Sequence, residues 1–282
     1  MRNHNIAIQG SIASFHDLAA KKYFGEDITI LECGSFREVC DKLSKNMVDY
    51  GIIAIENKVA GSILLNYQLI DLFNLKIIGE TYLPIELKLL AKPGTKLEDI
   101  TEIISHPMAL GQCQDYLSNL DNVKVTEFKD TSTSAELILN QKGNTLGVIA
   151  GPAVATKYNL EIIENNVCDE KINYTRFYIL SKGEDFIDGA DKVSLNLVTH
   201  NQVGSLSEIL IILKNYNLNL TKIQSVPIPN NPNQYAFHLD IEFKSKNDLE
   251  SALEEVEKIV KSFKVLGIYK GEKISLANPI LN

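Results

Sequence analysis

The 282-residue sequence is poor in the residues that most often bind metals or form disulfide bonds. It contains no tryptophan and five scattered histidines, and its four cysteines are Cys33, Cys40, Cys113 and Cys168. The cysteine spacing matches neither a metal-binding motif nor a disulfide framework, and a chain of this length does not depend on cross-links for its stability. We therefore expect reduced thiols and no metal cofactor.

The sequence also lacks a long hydrophobic run and an excess of basic charge. No signal-peptide core follows Met1, and no apolar run approaches the roughly 18 residues that a membrane span needs. The formal net charge is −8, whereas nucleic-acid binding needs a concentrated basic face. These features predict a cytoplasmic protein that binds neither nucleic acid nor membranes, although a few local cations suffice for a small anion.

Strand-like and helix-like segments alternate along the first part of the chain. Residues 50–55 form a continuous apolar run of strand length, which is typical of a strand covered on both faces. Two extended segments, 75–80 and 83–91, interrupt the alternation, which then resumes. The pattern predicts an α/β domain over residues 1–183 with parallel strands and a ligand cleft between two lobes. Lobe 1 is expected at about 1–80 and 168–183, and lobe 2 at about 81–167.

A polar, acidic segment that contains glycine, residues 184–191, predicts a linker to a second unit at 192–282. The hydrophobic periodicity of this unit predicts the order β-α-β-β-α-β, which is the ferredoxin-like arrangement. Small domains of this kind commonly bind ligands or pair with one another. We therefore interpret the second unit as regulatory.

Five short segments carry a more specific signal. They are 10–16 (Gly-Ser-Ile-Ala-Ser-Phe-His), 55–62 (Ile-Glu-Asn-Lys-Val-Ala-Gly-Ser), 105–113 (Ser-His-Pro-Met-Ala-Leu-Gly-Gln-Cys), 130–135 (Asp-Thr-Ser-Thr-Ser-Ala) and 173–177 (Asn-Tyr-Thr-Arg-Phe). In this order they resemble the characteristic segments of prephenate dehydratases, and the resemblance spans residues 6–180. It departs from the family pattern at Ser11, where proline is usual, and at His16 and Lys58, where serine is usual.

The resemblance implies a two-lobed, periplasmic-binding-protein-like α/β catalytic domain followed by a C-terminal ferredoxin-like (βαββαβ) ACT domain. It also implies conversion of prephenate to phenylpyruvate in L-phenylalanine biosynthesis. Loss of carbon dioxide and hydroxide from prephenate creates an aromatic ring, so the enzyme needs a hydrogen-bond donor at the departing oxygen and no cofactor. No helical segment precedes Asn5, so we expect no fused chorismate mutase.

The resemblance assigns the donor role to Thr175. It also implies a set of substrate-binding residues, which are Ser14, Phe15, Asn57, Gly61, Ser62, Thr133, Arg176 and Phe177. The Arg176 guanidinium is a planar fork suited to a carboxylate, but side chains alternate along a strand, so Thr175 and Arg176 need not both face the cleft. Backbone amides at helix starts near Ser14, Pro107 and Ser134 are further candidates for binding the substrate carboxylates.

Several of these residues also have a purely structural interpretation. Ser14, Ser62 and Thr133 are suited to capping helices. His106 precedes Pro107 at a predicted turn, where it either fixes the turn or contacts substrate. We expect His16 at the pocket rim or on a helix face, and Cys113 in the core.

The second unit contains two segments that resemble the effector site of ACT domains. Gly204-Ser205-Leu206 resembles the Gly-Ala-Leu turn, and Gln224-Ser225-Val226-Pro227 resembles Glu-Ser-Arg-Pro, with glutamine and valine in place of the charged residues. The resemblance implies that L-phenylalanine binds at Gly204, Ser205, Leu206, Gln224 and Ser225 between paired domains of a homodimer or homotetramer. The alternative is a domain kept only for dimer contacts.

Two other functions remain open at this point. Arogenate dehydratase acts on a substrate with an amino group in place of the keto group and would use the same scaffold. A sensor that binds a small anion or amino acid without turnover would also use the cleft. Comparison of the specificity constants for prephenate and arogenate distinguishes these alternatives.

Overall fold

The computed structural model describes residues 3–128, 131–140, 143–183, 189–228, 231 and 234–273, and within helix 131–140 it describes no side chain before Ser134. In chain order, the elements up to residue 181 are β1 (His4–Gln9), α1 (Phe15–Phe24), β2 (Ile28–Cys33), α2 (Phe36–Ser44), β3 (Tyr50–Asn57), β4 (Gly61–Ser62), α3 (Leu64–Leu72), β5 (Lys76–Pro84), β6 (Lys88–Ala91), β7 (Glu102–Ser105), α4 (Pro107–Leu110), α5 (Gln114–Ser118), β8 (Lys124–Glu127), α6 (Thr131–Asn140), β9 (Leu146–Ala150), α7 (Pro152–Tyr158), β10 (Glu161–Glu164) and β11 (Tyr174–Ser181). The elements that follow are β12 (Lys192–Val198), α8 (Ser205–Asn215), β13 (Asn219–Pro227), β14 (Tyr235–Glu242), α9 (Lys246–Ile259) and β15 (Ser262–Tyr269).

The first sheet, which we call the lobe-1 sheet, has the strand order β2-β1-β3-β11-β5, with β4 beside β3. Strands β1, β2 and β3 are parallel, as the strand-helix alternation predicts. Strand β11 returns to this sheet from the second lobe, also as predicted. It enters from the opposite end and therefore pairs antiparallel with β3 and β5, so the parallel pairing expected from the strand-helix alternation holds for β1, β2 and β3 and the sheet as a whole is mixed.

The second sheet, the lobe-2 sheet, has the order β10-β6-β9-β7-β8. Strand β7 is parallel to β8 and β9, whereas β6 is antiparallel to β9 and to the edge strand β10. The sequence pattern does not predict β10, because three of its four residues are exposed or polar and no apolar alternation marks it. The chain thus passes between the two sheets once after β5 and once before β11.

The C-terminal sheet has the order β13-β14-β12-β15, and all of its pairs are antiparallel. This is the ferredoxin-like order that the periodicity predicts. Helices α8 and α9 bury their apolar residues against one face of the sheet. From the other side, Val226, Leu266 and Tyr269 join the apolar core of lobe 1.

The contact between lobe 1 and the C-terminal sheet is close enough to require glycine. A Cβ atom on Gly267 of β15 would lie 1.8 Å from the carbonyl oxygen of Ile77 in β5. Residues 184–188 of the predicted linker lie outside the described part of the chain, and the division into domains at 184–191 stays a prediction. Within the described residues, no helix combines the length and apolar character that a membrane crossing requires.

Candidate active site and effector groove

The paired ends of β3 and β11 bring the strongest motif residues together. The pairs at this end of the ladder are Thr175 with Asn57, Arg176 with Glu56, and Phe177 with Ala54. Ile55 is therefore an extra residue in β3, as in a β-bulge, and the bulge reverses which face the following side chains occupy. Asn57 consequently lies on the same face as Thr175. We call this the front face, and the face that carries Glu56 and Arg176 the back face.

On the front face, Thr175 belongs to a network of amide side chains. Asn57 Nδ2 donates to Thr175 Oγ1 over 3.0 Å and to Asn173 Oδ1 over 2.8 Å. Gln112, which comes from lobe 2, donates its Nε2 to Asn57 Oδ1 over 3.4 Å and accepts at Oε1 from Asn173 Nδ2 over 2.9 Å. The network therefore joins the two lobes at Thr175.

This network determines what the Thr175 hydroxyl is able to do. Because its oxygen accepts a hydrogen bond from Asn57, its own hydrogen can be directed to a third group. The side-chain oxygen of Asn57 also accepts from the backbone amides of Val59 and Ala60, over 3.0 and 2.8 Å, which fixes the orientation of its amide. The arrangement presents a neutral, oriented hydroxyl donor at the junction of the lobes.

On the back face, the Arg176 guanidinium is enclosed by carboxylates. Nε donates to Glu80 Oε2 over 2.7 Å, Nη2 contacts the same oxygen, and Nη1 donates to Asp240 Oδ2 over 2.5 Å. Lys192 of β12 completes the cluster with a 2.8 Å ion pair to Glu80 Oε1. All four charged residues are at most 4% exposed. Arg176 thus faces the C-terminal sheet and not Thr175, so the structure does not support its predicted contact with substrate.

The electrostatics of the back face follow from this pairing. Burial by itself would raise the pKa of Asp240, but the positive charge of Arg176 and a hydrogen bond from Ser194 outweigh burial and lower the pKa below its usual value. Ser194 Oγ donates to Asp240 Oδ1 over 2.5 Å, and Tyr178 hydrogen-bonds to the same carboxylate. Asp240 is therefore ionised and saturated with donors.

The remaining predicted substrate residues of lobe 1 take structural positions. Ser14 is the N-cap of α1, where its Oγ accepts from the backbone amide of Asp17 over 3.4 Å. Phe15 packs against the apolar cores of both lobes, and a Cβ atom on Gly151 would lie 3.0 Å from its ring. Phe177 is buried in the core of lobe 1 on the front side of the sheet. Phe15 thus lies between the lobes, whereas Phe177 anchors β11 in the core of lobe 1, two residues after Thr175.

Gly61 and Ser62 form β4, opposite the end of β3. Gly61 pairs with Asn57 and has a φ of 81°, a conformation that favours glycine. Ser62 pairs with Glu56 and accepts at Oγ from Lys222 Nζ over 3.3 Å, so its side chain faces the C-terminal sheet. The predicted residue Thr133, whose side chain lies outside the described part of the structure, adds no information about the site.

His16, His106 and Cys113 take structural positions. His16 lies on the buried face of α1, which agrees with the helix-face expectation and not with a pocket rim, and its Nε2 accepts from the backbone amide of Ala54 over 3.2 Å. Burial lowers its pKa to about 3, so the ring is neutral. His106 caps α4 by accepting from the amide of Met108 over 3.1 Å, which favours the turn-fixing interpretation. Cys113 is fully buried, as expected.

Two members of the front-face network, Asn173 and Gln112, are missing from the predicted site. Both occur within the motif segments at 173–177 and 105–113. A signal was therefore present, but their contact depends on the packing of one lobe against the other. Among the described residues, no group of three or more His, Cys, Asp or Glu side chains is arranged to hold a metal ion.

A groove of about 460 Å³ opens at one end of the C-terminal sheet. Its lining residues are Thr199, His200, Asn201, Gln202, Gly204, Ser205, Leu206, Ser207, Leu210, Gln234, Tyr235 and Phe237. Gly204 has a φ of 90° and starts α8, which explains the glycine at this turn. Gln224 and Ser225 do not line the groove but lie on β13, the edge strand. The structure thus brings three of the five predicted effector residues into one groove.

Comparison with known proteins agrees with the motifs. The family described as prephenate dehydratase matches residues 6–185. The bifunctional chorismate mutase/prephenate dehydratase of Escherichia coli (strain K12) is 31% identical over 282 residues, which cover 97% of this chain and 72% of the relative.

Two solved structures resemble the whole fold. The prephenate dehydratase from Arthrobacter aurescens in complex with L-Phe superposes with a TM-score of 0.84 at 26% identity, covering 94% of this chain and 89% of the other. GqqA, described as a novel type of quorum quenching acylase, also has a TM-score of 0.84, at 27% identity, and the match covers 95% of this chain and 98% of GqqA.

Proposed function

The chain belongs to the prephenate dehydratase family, and we propose that it converts prephenate to phenylpyruvate under feedback control by L-phenylalanine. The observation that carries the proposal is the hydrogen-bonded pair of Thr175 and Asn57 inside two family motifs, at the junction of the two lobes. The chemistry of this pair matches what the reaction requires.

In the proposed mechanism, Thr175 assists the departure of the ring hydroxyl. A threonine hydroxyl is too weak an acid to lose its proton unaided, so it acts as an oriented donor to the departing oxygen, where negative charge develops. The Asn57 amide holds the threonine oxygen so that the hydroxyl hydrogen points to substrate. Carbon dioxide leaves in the same reaction, and aromatisation of the ring drives the overall conversion.

We propose that Gln112 and Asn173 belong to the site because they connect Asn57 to lobe 2. Gly61, at the exposed end of the β3–β4 turn, and Phe15, between the lobes, are the other predicted residues that lie close to this junction. A prephenate carboxylate would need cationic or backbone donors. The start of α1, next to Phe15, remains the proposed source of backbone amides.

For regulation, we propose that the C-terminal unit is an ACT domain and that L-phenylalanine binds at Gly204, Ser205 and Leu206. The support is the groove that these residues line, together with the L-Phe complex described for the Arthrobacter aurescens relative. Gln224 and Ser225 on the edge strand β13 would join the site across a pair of ACT domains. A cytoplasmic homodimer or homotetramer completes the proposal.

The test is conversion of prephenate to phenylpyruvate by the wild type and by Thr175→Ala. Loss of a transition-state donor predicts a turnover number at least about a hundredfold lower in the variant. Thr175→Ser, which keeps a hydroxyl, serves as the matched control and should retain most of the turnover. Near-normal turnover in Thr175→Ala would remove Thr175 from the mechanism.

The same assay separates the alternative functions. A higher specificity constant with arogenate would identify an arogenate dehydratase. Absence of turnover with either substrate would favour a sensor, and calorimetry with prephenate would then measure binding alone. Added L-phenylalanine should inhibit the wild type, whereas unchanged activity with no binding heat would restrict the C-terminal unit to structural contacts.

A further inference from the structure

The side chains of two paired residues behind the candidate active site both contact the C-terminal sheet. Glu56 and Arg176 occupy the back face at adjacent positions to Asn57 and Thr175. Lys222 Nζ of β13 lies 2.5 Å from Glu56 Oε2, and Asp240 Oδ2 of β14 lies 2.5 Å from Arg176 Nη1. Each strand that carries a front-face residue is therefore tied, one residue away, to a different strand of the C-terminal sheet.

Lys222 is held by several contacts. Its side chain is 10% exposed, and the ammonium group also donates to Ser62 Oγ over 3.3 Å and lies 5.6 Å from the centre of the Tyr67 ring. Lys222 thus has few alternative positions. A movement of β13 relative to lobe 1 would move Glu56 and with it the backbone that carries Asn57.

We propose that Glu56 and Arg176 are positioning residues, which hold Asn57 and Thr175 in reactive geometry only while the C-terminal sheet is docked on the back face. The inference rests on the proposed role of Thr175. Arg176 would then serve the reaction without contacting substrate. Displacement of a catalytic group by about 1 Å is enough to reduce the rate strongly.

A second ion pair across the same interface provides a matched control. Lys264 of β15 pairs with Asp71 of α3 over 3.6 Å. This pair also joins lobe 1 to the C-terminal sheet, but α3 carries none of the front-face residues. Loss of docking energy alone should lower kcat in each variant in proportion to the stability that the variant loses, whereas positioning should lower kcat only in Lys222 variants.

The experiment compares Lys222→Met with Lys264→Met by steady-state kinetics and urea unfolding. We expect Lys222→Met to lower kcat roughly tenfold with little change in KM, the scale for breaking one coupling contact, while Lys264→Met leaves kcat near the wild-type value. Glu56 is 41% exposed at its side chain, so water can hydrate it when Lys222 is removed and the variant should fold. Equal kcat in both variants, or an equal loss, would overturn the proposal.

A charge exchange gives an independent measurement. Lys222→Glu places two carboxylates together and should lower kcat, whereas the double variant Glu56→Lys/Lys222→Glu restores the ion pair and should recover most of it. No recovery, combined with normal stability, would contradict positioning through this pair. If the wild type turns over prephenate and these variants do so equally well, only the positioning role is refuted. If the wild type shows no turnover, the proposed function itself is refuted.

Discussion

The two faces of the β3–β11 pair use opposite chemistry. The front face has neutral amides and a hydroxyl, which hydrogen-bond to one another and leave the hydrogen of Thr175 available. The back face has four buried charges, two of each sign, arranged so that each charge of lobe 1 contacts a charge of the C-terminal sheet. Adjacent residues in one strand therefore belong to the candidate active site on one side and to an interface on the other.

The difference follows from what each face must tolerate. A site that stabilises a departing oxygen needs oriented hydrogen-bond donors that reorganise little. An interface with buried charges is stable only when every charge is paired, since an unpaired ion in the interior is costly. Substitutions on the front face should consequently reduce turnover with little change in the free energy of unfolding, whereas substitutions on the back face should reduce the free energy of unfolding and, through undocking, turnover as well.

The largest expected effect on the back face is that of Arg176→Met. It leaves Asp240 without its guanidinium partner inside the protein, and loss of one partner from a buried ion pair costs about 3–5 kcal/mol in the free energy of unfolding. Urea unfolding of the wild type and the variant measures this loss. Arg176→Lys, which keeps the charge but loses the fork, should fall between them.

A loss below about 1 kcal/mol for Arg176→Met would be the value for an exposed ion pair and would contradict the buried cluster. The front-face variant Thr175→Ala is the counterpart. It should lower turnover far more than it lowers the free energy of unfolding. Similar effects of both variants on both quantities would remove the distinction between the faces.

The next largest effect concerns the contact between the sheets and not the charges. Gly267→Ala would place a methyl group 1.8 Å from the Ile77 carbonyl oxygen, and backbone on both sides must separate to admit it. We expect a loss of about 3 kcal/mol in the free energy of unfolding, the upper end of the usual range for overpacking. Turnover should also fall, because the back face would be partly undocked.

Gly183→Ala is the matched control for this substitution, since no atom of the described residues lies within 4 Å of the position of its Cβ atom. Thermal unfolding of the wild type and of the two alanine variants compares their stabilities. Equal stability of Gly267→Ala and Gly183→Ala would mean that β15 and β5 do not pack closely in solution.

Local sequence patterns predict much of this architecture but not the division between the faces. Hydrophobic periodicity predicts the β-α-β-β-α-β order, and the motifs select Thr175 and Asn57. Periodicity does not predict the bulge at Ile55, because a bulge exists only relative to a partner strand. The partner strand here is distant in sequence, since Thr175 follows Asn57 by 118 residues. Without the bulge, strict alternation from the pair of Phe177 with Ala54 would place Asn57 on the back face, away from Thr175.

The role of Arg176 was unpredictable for a similar reason. Its residue type suits a substrate carboxylate as well as a protein carboxylate, and its partner Asp240 lies 64 residues away in the second unit. The front-face contacts of Gln112 likewise depend on how one lobe packs on the other. Residue type and spacing therefore select the candidate site, whereas long-range packing decides which members of a motif face it.

The smallest of these effects is a pH dependence to which one buried histidine on each side contributes. Burial lowers the pKa of His16, behind the front face, to about 3, and that of His238, in the docking interface, to about 4. Between the ordinary pKa of about 6.5 and these values, the unfolded chain binds a proton that the folded chain does not, so stability falls as the pH falls. At pH 5 the loss from His16 relative to pH 7 should be about 2 kcal/mol.

Urea unfolding at pH 7 and pH 5 of the wild type, His16→Asn and His238→Asn tests this expectation. His16→Asn keeps a side-chain acceptor for the Ala54 amide and should lose the corresponding pH dependence. His238→Asn should remove a similar part of it, because the pKa of about 4 that burial gives His238 also lies well below pH 5. Asp240 should contribute little in this range, since its lowered pKa confines its loss of stability to more acidic conditions than pH 5. If His16→Asn were as sensitive to acid as the wild type, the ring would be solvated and the packing behind the front face would be looser than that of the back face.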